Sequence, residues 1–405
     1  MALKEQFQVS SRFRTSSLAL LGIGILSLVI GFFVYGTGDE EHKARFWAAL
    51  LHNSVYFLLI VNAAMFFICA TTLAMGGWQM GFRRVTEAIS VAVIPIGIIT
   101  FIILMCLVFG HQHHIYHWLT PEGDKILEGK SGFLNPTFFT IWTVLTIVGW
   151  IALGYKMRVI SRKLDTQPMD SVEEGRGYVF HTTVWASLYI VWFALTVAST
   201  TPWLWYMSID AHWFSTMYSW YTFASSFVAG IALITLFVIY MKNKGYLELV
   251  NEEHLHDLGK FMFAFSIFWT YLWFSQYMLI WYANIPEETV YFKPRAQGVY
   301  SGVFWFSLII NFVAPLLILM RRSSKRNYTT LTFMAVFIIF GHWLDFYQMV
   351  FPGPFPTHMQ LGLLDFGLAL GFIGLIMFVT GQQLSKHPMY VKNHPFFKET
   401  IIHHT

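Results

Sequence analysis

VTEAISVAVIPIGIITFIILMCLVFG, residues 85–110, carries one charged side chain, Glu87, followed by more than twenty residues without a charge. Crossing ~30 Å of hydrocarbon takes about 20 residues of α-helix, so this stretch reads as a membrane span. A barrel strand needs only ~10 residues of alternating polarity, which this run does not show. The same length of apolar sequence recurs on both sides of it. Ten windows result, at 16–35, 46–75, 85–110, 135–160, 180–203, 213–241, 257–282, 298–320, 328–350 and 359–382. The expected fold is all-α: one polytopic membrane domain over 1–405 with about ten transmembrane helices. Spans 2–5 and 6–9 are expected to form two four-helix bundles, flanked by spans 1 and 10. Pro95 and Pro315 fall inside spans, where each removes a backbone donor and should bend its helix.

Composition agrees. Of 405 residues, 56% are hydrophobic and 12% charged, about half the charged share of a soluble chain. The net charge of +4 is spread over short loops, which gives no surface for nucleic acid. Cys69 and Cys106 both lie inside apolar runs. Two cysteines cannot build a disulfide framework or ligate an iron–sulfur cluster alone. Lys4, Arg12 and Arg14 before an apolar run imitate a signal peptide. The run ends in Tyr35-Gly36 without a small-residue cleavage site, so an uncleaved first span is expected.

Loop charge sets the orientation. Twenty of the 26 Lys and Arg fall in the N-terminus, the even-numbered loops and the C-terminus, and six in the odd-numbered loops. The positive-inside rule then puts both termini in the cytoplasm, the protein being a multi-pass one of a bacterial inner membrane.

An ionisable residue inside a span is costly and is a functional candidate by default. His342 and Asp345, three apart in span 9, share a helix face and suit a quinone headgroup or a proton relay. The alternative is a satisfied buried pair. His52 in span 2 and Asp365 in span 10 lie at similar depth, with Asp210 and His212 just before span 6. Toward the opposite side lie Glu87, His181, His254, His256, Asp257 and Lys260, the makings of a proton entrance or of local ion pairs near water. In span 6, Ser215, Ser219, Thr222, Ser226 and Gly230 form a small-residue stripe expected to pack helices. His111, His113, His114 and His117 lack the partners and spacing of a zinc site, and no metal is assigned. Paired histidines at a two-haem spacing are missing, so no haem is assigned either.

The stretch HDLGKFMFAFSIFWTYLWFSQYMLIWYANIPEETVYF (His256–Phe292), with GHWLDFYQMVFPGP (Gly341–Pro354), closely resembles the smaller NrfD/polysulfide-reductase-like membrane subunit of bacterial alternative complex III. The resemblance implies a subunit of a quinol:cytochrome c, or quinol:oxidase-linked, oxidoreductase. It implies partner subunits that hold the iron–sulfur and haem c centres, a larger NrfD-like sister subunit, and in some assemblies a terminal oxidase. Quinol, menaquinol by resemblance, is the implied substrate. Two functions stay open. The chain contributes a quinol site or proton pathway without its own redox cofactor, or it translocates protons or scaffolds while the sister subunit oxidises quinol. In a secondary transporter the ionisable groups should meet at the midplane, whereas here they sort toward the two faces.

Overall fold

The computed structural model describes residues 6–110, 112–121, 123–169 and 171–404; Lys4 and His111 lie outside them. Ten long helices account for most of the chain. They are α1 Ser11–Gly36, α2 Glu40–Leu73, α3 Arg83–Phe109, α4 Pro136–Lys163 and α5 Val172–Trp205. They continue with α6 Met217–Asn243, α7 Glu252–Ala283, α8 Ser301–Leu319, α9 Tyr328–Val350 and α10 Leu363–Leu384. No β-sheet occurs among the described residues. Most helices begin on a side chain that takes up a free backbone N–H. Ser10, Asp39, Asn135, Ser171, Asn251 and Asn327 do this for α1, α2, α4, α5, α7 and α9.

Among the described residues, nine of these helices are long and apolar enough to cross a membrane. The exception is α7, which has 32 residues but dilutes its apolar side chains with Trp, Tyr, Ser and Gln. Chain parity includes it. Gln6 Nε2 donates to Ser385 O at 2.9 Å and Gln6 bridges Pro388 through the backbone, so the two ends of the chain share one face. Nine crossings would leave them on opposite faces. We call their shared side the terminal face.

The packing follows chain order. Helices α2, α3, α4 and α5 close one ring of neighbours and α6, α7, α8 and α9 a second, while α1 lies along α10 and α10 leans on α2. The rings meet where α2 packs against α6. These two helices are the interior ones, with 83% and 89% of their apolar windows buried, against 17% for α1. Their sequences explain the place: Ala63 of α2 sits against Gly230 of α6, where a side chain would strike Ala63 Cβ at 2.6 Å. Thus the Ser/Gly stripe of α6 is indeed a packing surface at Gly230.

Three helices are interrupted just before a proline. The α3 helix breaks at Val91–Ala92, before Pro95, and α8 carries a π-helical turn at Ile309–Val313, before Pro315. The α5 helix has another at Thr196–Thr200, before Pro202, with Ser199 at φ −147°, ψ −106°. In each case proline offers no N–H to the carbonyl four residues earlier. The sixth and tenth spans start later than the hydropathy suggests: α6 begins at Met217 and α10 at Leu363. The residues before α10 instead run as turns, two of whose carbonyls, Phe355 O and His358 O, accept from the Tyr300 hydroxyl at 3.0 and 3.1 Å.

Candidate functional site

The second ring of helices encloses a buried polar chain. On α9, His342 and Asp345 face inward, three residues apart, with 0% and 2% exposure. Gly341 lets α8 come close enough to seal them, because a methyl there would overlap Asn311 and Ile310. From α6, one turn apart, come Tyr221 and Ser225; from α7 comes Trp269. The Tyr221 hydroxyl donates to Asp345 Oδ1. Ser225 Oγ and Trp269 Nε1 donate to Asp345 Oδ2 at 2.8 and 3.0 Å. Ser225 Oγ is also 2.8 Å from His342 Nδ1.

A serine hydroxyl has one proton to give. With that proton on Asp345, Ser225 must accept from His342, which assigns the imidazole proton to Nδ1. The sequence of bonds is then His342 Nδ1–H to Ser225, and Ser225 O–H to Asp345. The other ring nitrogen, His342 Nε2, is buried with no partner among the described residues. The direct His342–Asp345 separation is 3.9 Å, so the serine is the link between them.

Away from the terminal face, the chain of polar groups continues into a cavity of about 20 Å³ beside Asp345. Its polar lining includes Tyr221, Gln276, Tyr291, Arg295, Ser307 and Gln348. That volume suits about one water molecule. Arg295, 1% exposed, closes the far end. It donates to Gln348 O at 2.8 Å, Tyr291 O at 2.6 Å and Asp210 Oδ2 at 2.9 Å. Asp210 is 21% exposed and so reaches the surface. Toward the terminal face the neighbouring polar atoms are those of Asn311 and Ser266 Oγ, all buried and without a partner. Beyond Ser266 the interior is apolar, with Met262, Leu331, Met334 and Ala335 buried. The nine residues from Ser266 back to Asp257 measure ~13 Å along α7.

Of the outer candidates, Asp210 joins this arrangement through Arg295. His52 sits on another side of α9, its Nε2 2.9 Å from Trp343 O. Asp365 is paired with Arg45 by two hydrogen bonds and caps α10 by accepting from Gly362 N at 2.9 Å. His212 pairs with Asp124 at 2.5 Å in the loops, and His114 lies 4.0 Å from Glu40.

The candidates near the terminal face form separate groups. Glu87 is held by Arg83 Nε at 3.0 Å and Arg84 Nη1 at 2.6 Å. Asp257 pairs with Lys260 at 2.5 Å and with His403 of the C-terminal tail at 2.9 Å. His254 caps α7 and bonds Thr400 Oγ1 at 2.8 Å. His181 is exposed on α5 beside Trp185.

Sequence reasoning did not single out Ser225, Tyr221, Trp269, Arg295 or Arg45. Arg295 had a usable signal, being one of few cations in loops otherwise poor in them. No protein-family model matches the chain, and no curated protein matches its sequence.

Proposed function

We propose that this chain is a proton-handling membrane subunit of a quinol-oxidising assembly, with redox centres and quinol chemistry on partner subunits. The assembly is taken from the resemblance of His256–Phe292 and Gly341–Pro354 to the alternative complex III subunit. The proton role rests on one observation, the His342–Ser225–Asp345 chain of hydrogen bonds. A proton arriving at His342 Nε2 makes an imidazolium. Release of the Nδ1 proton to Ser225, as Ser225 passes its own to Asp345, restores the neutral ring and moves one proton to the carboxylate. Asp345 faces a water-sized cavity that leads by way of Gln348 and Arg295 to Asp210.

Space favours this reading over a quinol site at the same residues. The cavity beside Asp345, about 20 Å³, is far smaller than the 300–1,000 Å³ typical of small-molecule sites. A larger cleft of about 440 Å³ opens between α2, α6, α9 and α10. Its walls, among them Phe57, Phe237, Phe340 and Leu370, are almost wholly apolar, and its Tyr56 and Trp343 already donate to Ile339 O and Asn53 Oδ1.

The test uses the intact assembly. Ser225→Ala breaks the relay without changing charge, and Ser225→Thr keeps the hydroxyl. Under the proposal, Ser225→Ala and Asp345→Asn drive the protons moved per electron toward zero, and Ser225→Thr retains them. Quinol turnover measured with a protonophore stays near wild type. Unchanged proton movement in both variants would overturn the relay. A quinone analogue bound against His342 would overturn the assignment of quinol chemistry to a partner.

A further inference from the structure

At the terminal-face ends of α3 and α4, four guanidinium groups meet two carboxylates. Arg83, Arg84 and Arg158 are at most 4% exposed, and Arg162 is half-buried. Glu87 gives one oxygen to Arg83 and the other to Arg84, and Asp165 pairs with Arg84. These pairs account for two of the four positive charges. Arg158 has the Ser90 hydroxyl as its hydrogen-bond partner, at 3.0 Å, and that group is neutral. Arg158 and the half-buried Arg162 therefore remain without a counter-charge among the described residues, and at the buried Arg158 a solitary charge is strongly disfavoured.

The unused donors point to one place. The Nε–H groups of Arg84 and Arg162 are buried and have no acceptor. Both residues line a cavity of about 10 Å³, which Gln383 and His387 close from the end of α10. Glu87 also borders it, and its charge is met there by the guanidinium groups of Arg83 and Arg84, whose Nε and Nη1 donate to its two oxygens. A space of this size takes one water or one monatomic ion and is too small for a phosphate. Water could accept both N–H groups and would leave the excess charge untouched. A small anion does both.

We propose that this cavity is a halide site, filled by chloride, with the Nε–H groups of Arg84 and Arg162 as its donors. The anion offsets one of the two unmatched charges where α3, α4 and α10 meet and so ties α10 to the first ring of helices.

The full chain, purified in detergent, is melted at constant ionic strength in chloride, bromide or gluconate. Chloride and bromide should raise the melting temperature saturably, by ~2 °C or more over gluconate, which is too large for the site. Arg162→Gln should melt at one temperature in all three salts. Crystals soaked in bromide should show an anomalous peak between Arg84 and Arg162; this readout needs no variant. Equal melting of the wild type in chloride and gluconate would overturn the proposal. So would a chloride response that survives in Arg162→Gln, or a bromide soak that leaves only water in the cavity.

Discussion

A methyl group at Gly341 has nowhere to go, because Asn311 Oδ1 and Ile310 Cγ2 already occupy its place. Gly341→Ala should therefore destabilise the protein by about 1–3 kcal/mol through overpacking, read as a lower melting temperature. Gly22→Ala is the control: a Cβ there meets nothing within 4 Å, and the change should be neutral or stabilise by up to ~1 kcal/mol. Equal effects at both positions would mean that α8 and α9 are not in the close contact described. His342 and Asp345 could be read in the sequence, because an acid and an imidazole three apart in an apolar run must share a face. Their partner Ser225 could not. A serine in a span usually bonds its own helix, as Ser226 does by donating to Phe223 O at 3.0 Å. The small-residue pattern also selects Ser226 and passes over its neighbour. Which of two adjacent serines reaches another helix is a fact of tertiary packing.

All ten long elements announced themselves as apolar windows, but the polypeptide after α10 carried no periodic signal at all. It nevertheless docks under the terminal face by long-range bonds: Thr400 donates to Trp78 O at 2.7 Å, and Asn251 Nδ2 to His403 O at 3.1 Å. Such pairs join residues 322 and 152 positions apart, and no local pattern encodes them. His394 gives this segment a pH dependence. Burial, reinforced by Arg83 and Arg84 and opposed by Glu87, lowers its pKa to about 3 from an ordinary 6.5. Above pH 6.5 the ring is neutral whether the tail is docked or free, so docking there is at full strength. Between pH 6.5 and 3 the free tail takes up a proton that the docked tail refuses, and docking weakens as pH falls. The loss is ~1.4 kcal/mol per pH unit, about 2 kcal/mol at pH 5. Hydrogen exchange over 388–404, corrected for intrinsic rates, should be ~30-fold less protected at pH 5 than at pH 7. His394→Gln should remove that pH response, and a wild-type tail equally protected at both values would refute it.

On the scale of the molecule, the two rings of helices follow from chain order, since short loops make consecutive helices antiparallel neighbours. The seam between α2 and α6 does not follow, because it joins helices far apart in sequence through small residues that any span can contain. The pairing of α1 with α10 is of the same kind. Gly24 and Gly371 bring the two backbones together, Gly367 faces Ser27, and Gly374 faces Leu21 and Ser17. Glycines at 367, 371 and 374 repeat at steps of four and three, which forms one smooth strip along α10. With so little of α1 buried elsewhere, this strip holds it in place, whereas α2 and α6 owe nothing to it. Gly371→Leu should therefore separate α1 from α10 and leave both rings intact. The measurement is a flexible bismaleimide cross-link between Arg12→Cys and Gln382→Cys, exposed residues next to the Phe13–Gly381 contact of α1 and α10, in a chain with Cys69 and Cys106 replaced by alanine. The reagent should link the pair readily with Gly371 in place and poorly with Gly371→Leu. Proton movement by the assembly should persist, because the His342–Ser225–Asp345 chain belongs to the second ring alone. Loss of proton movement together with the cross-link would show instead that α1 and α10 brace the second ring through α2.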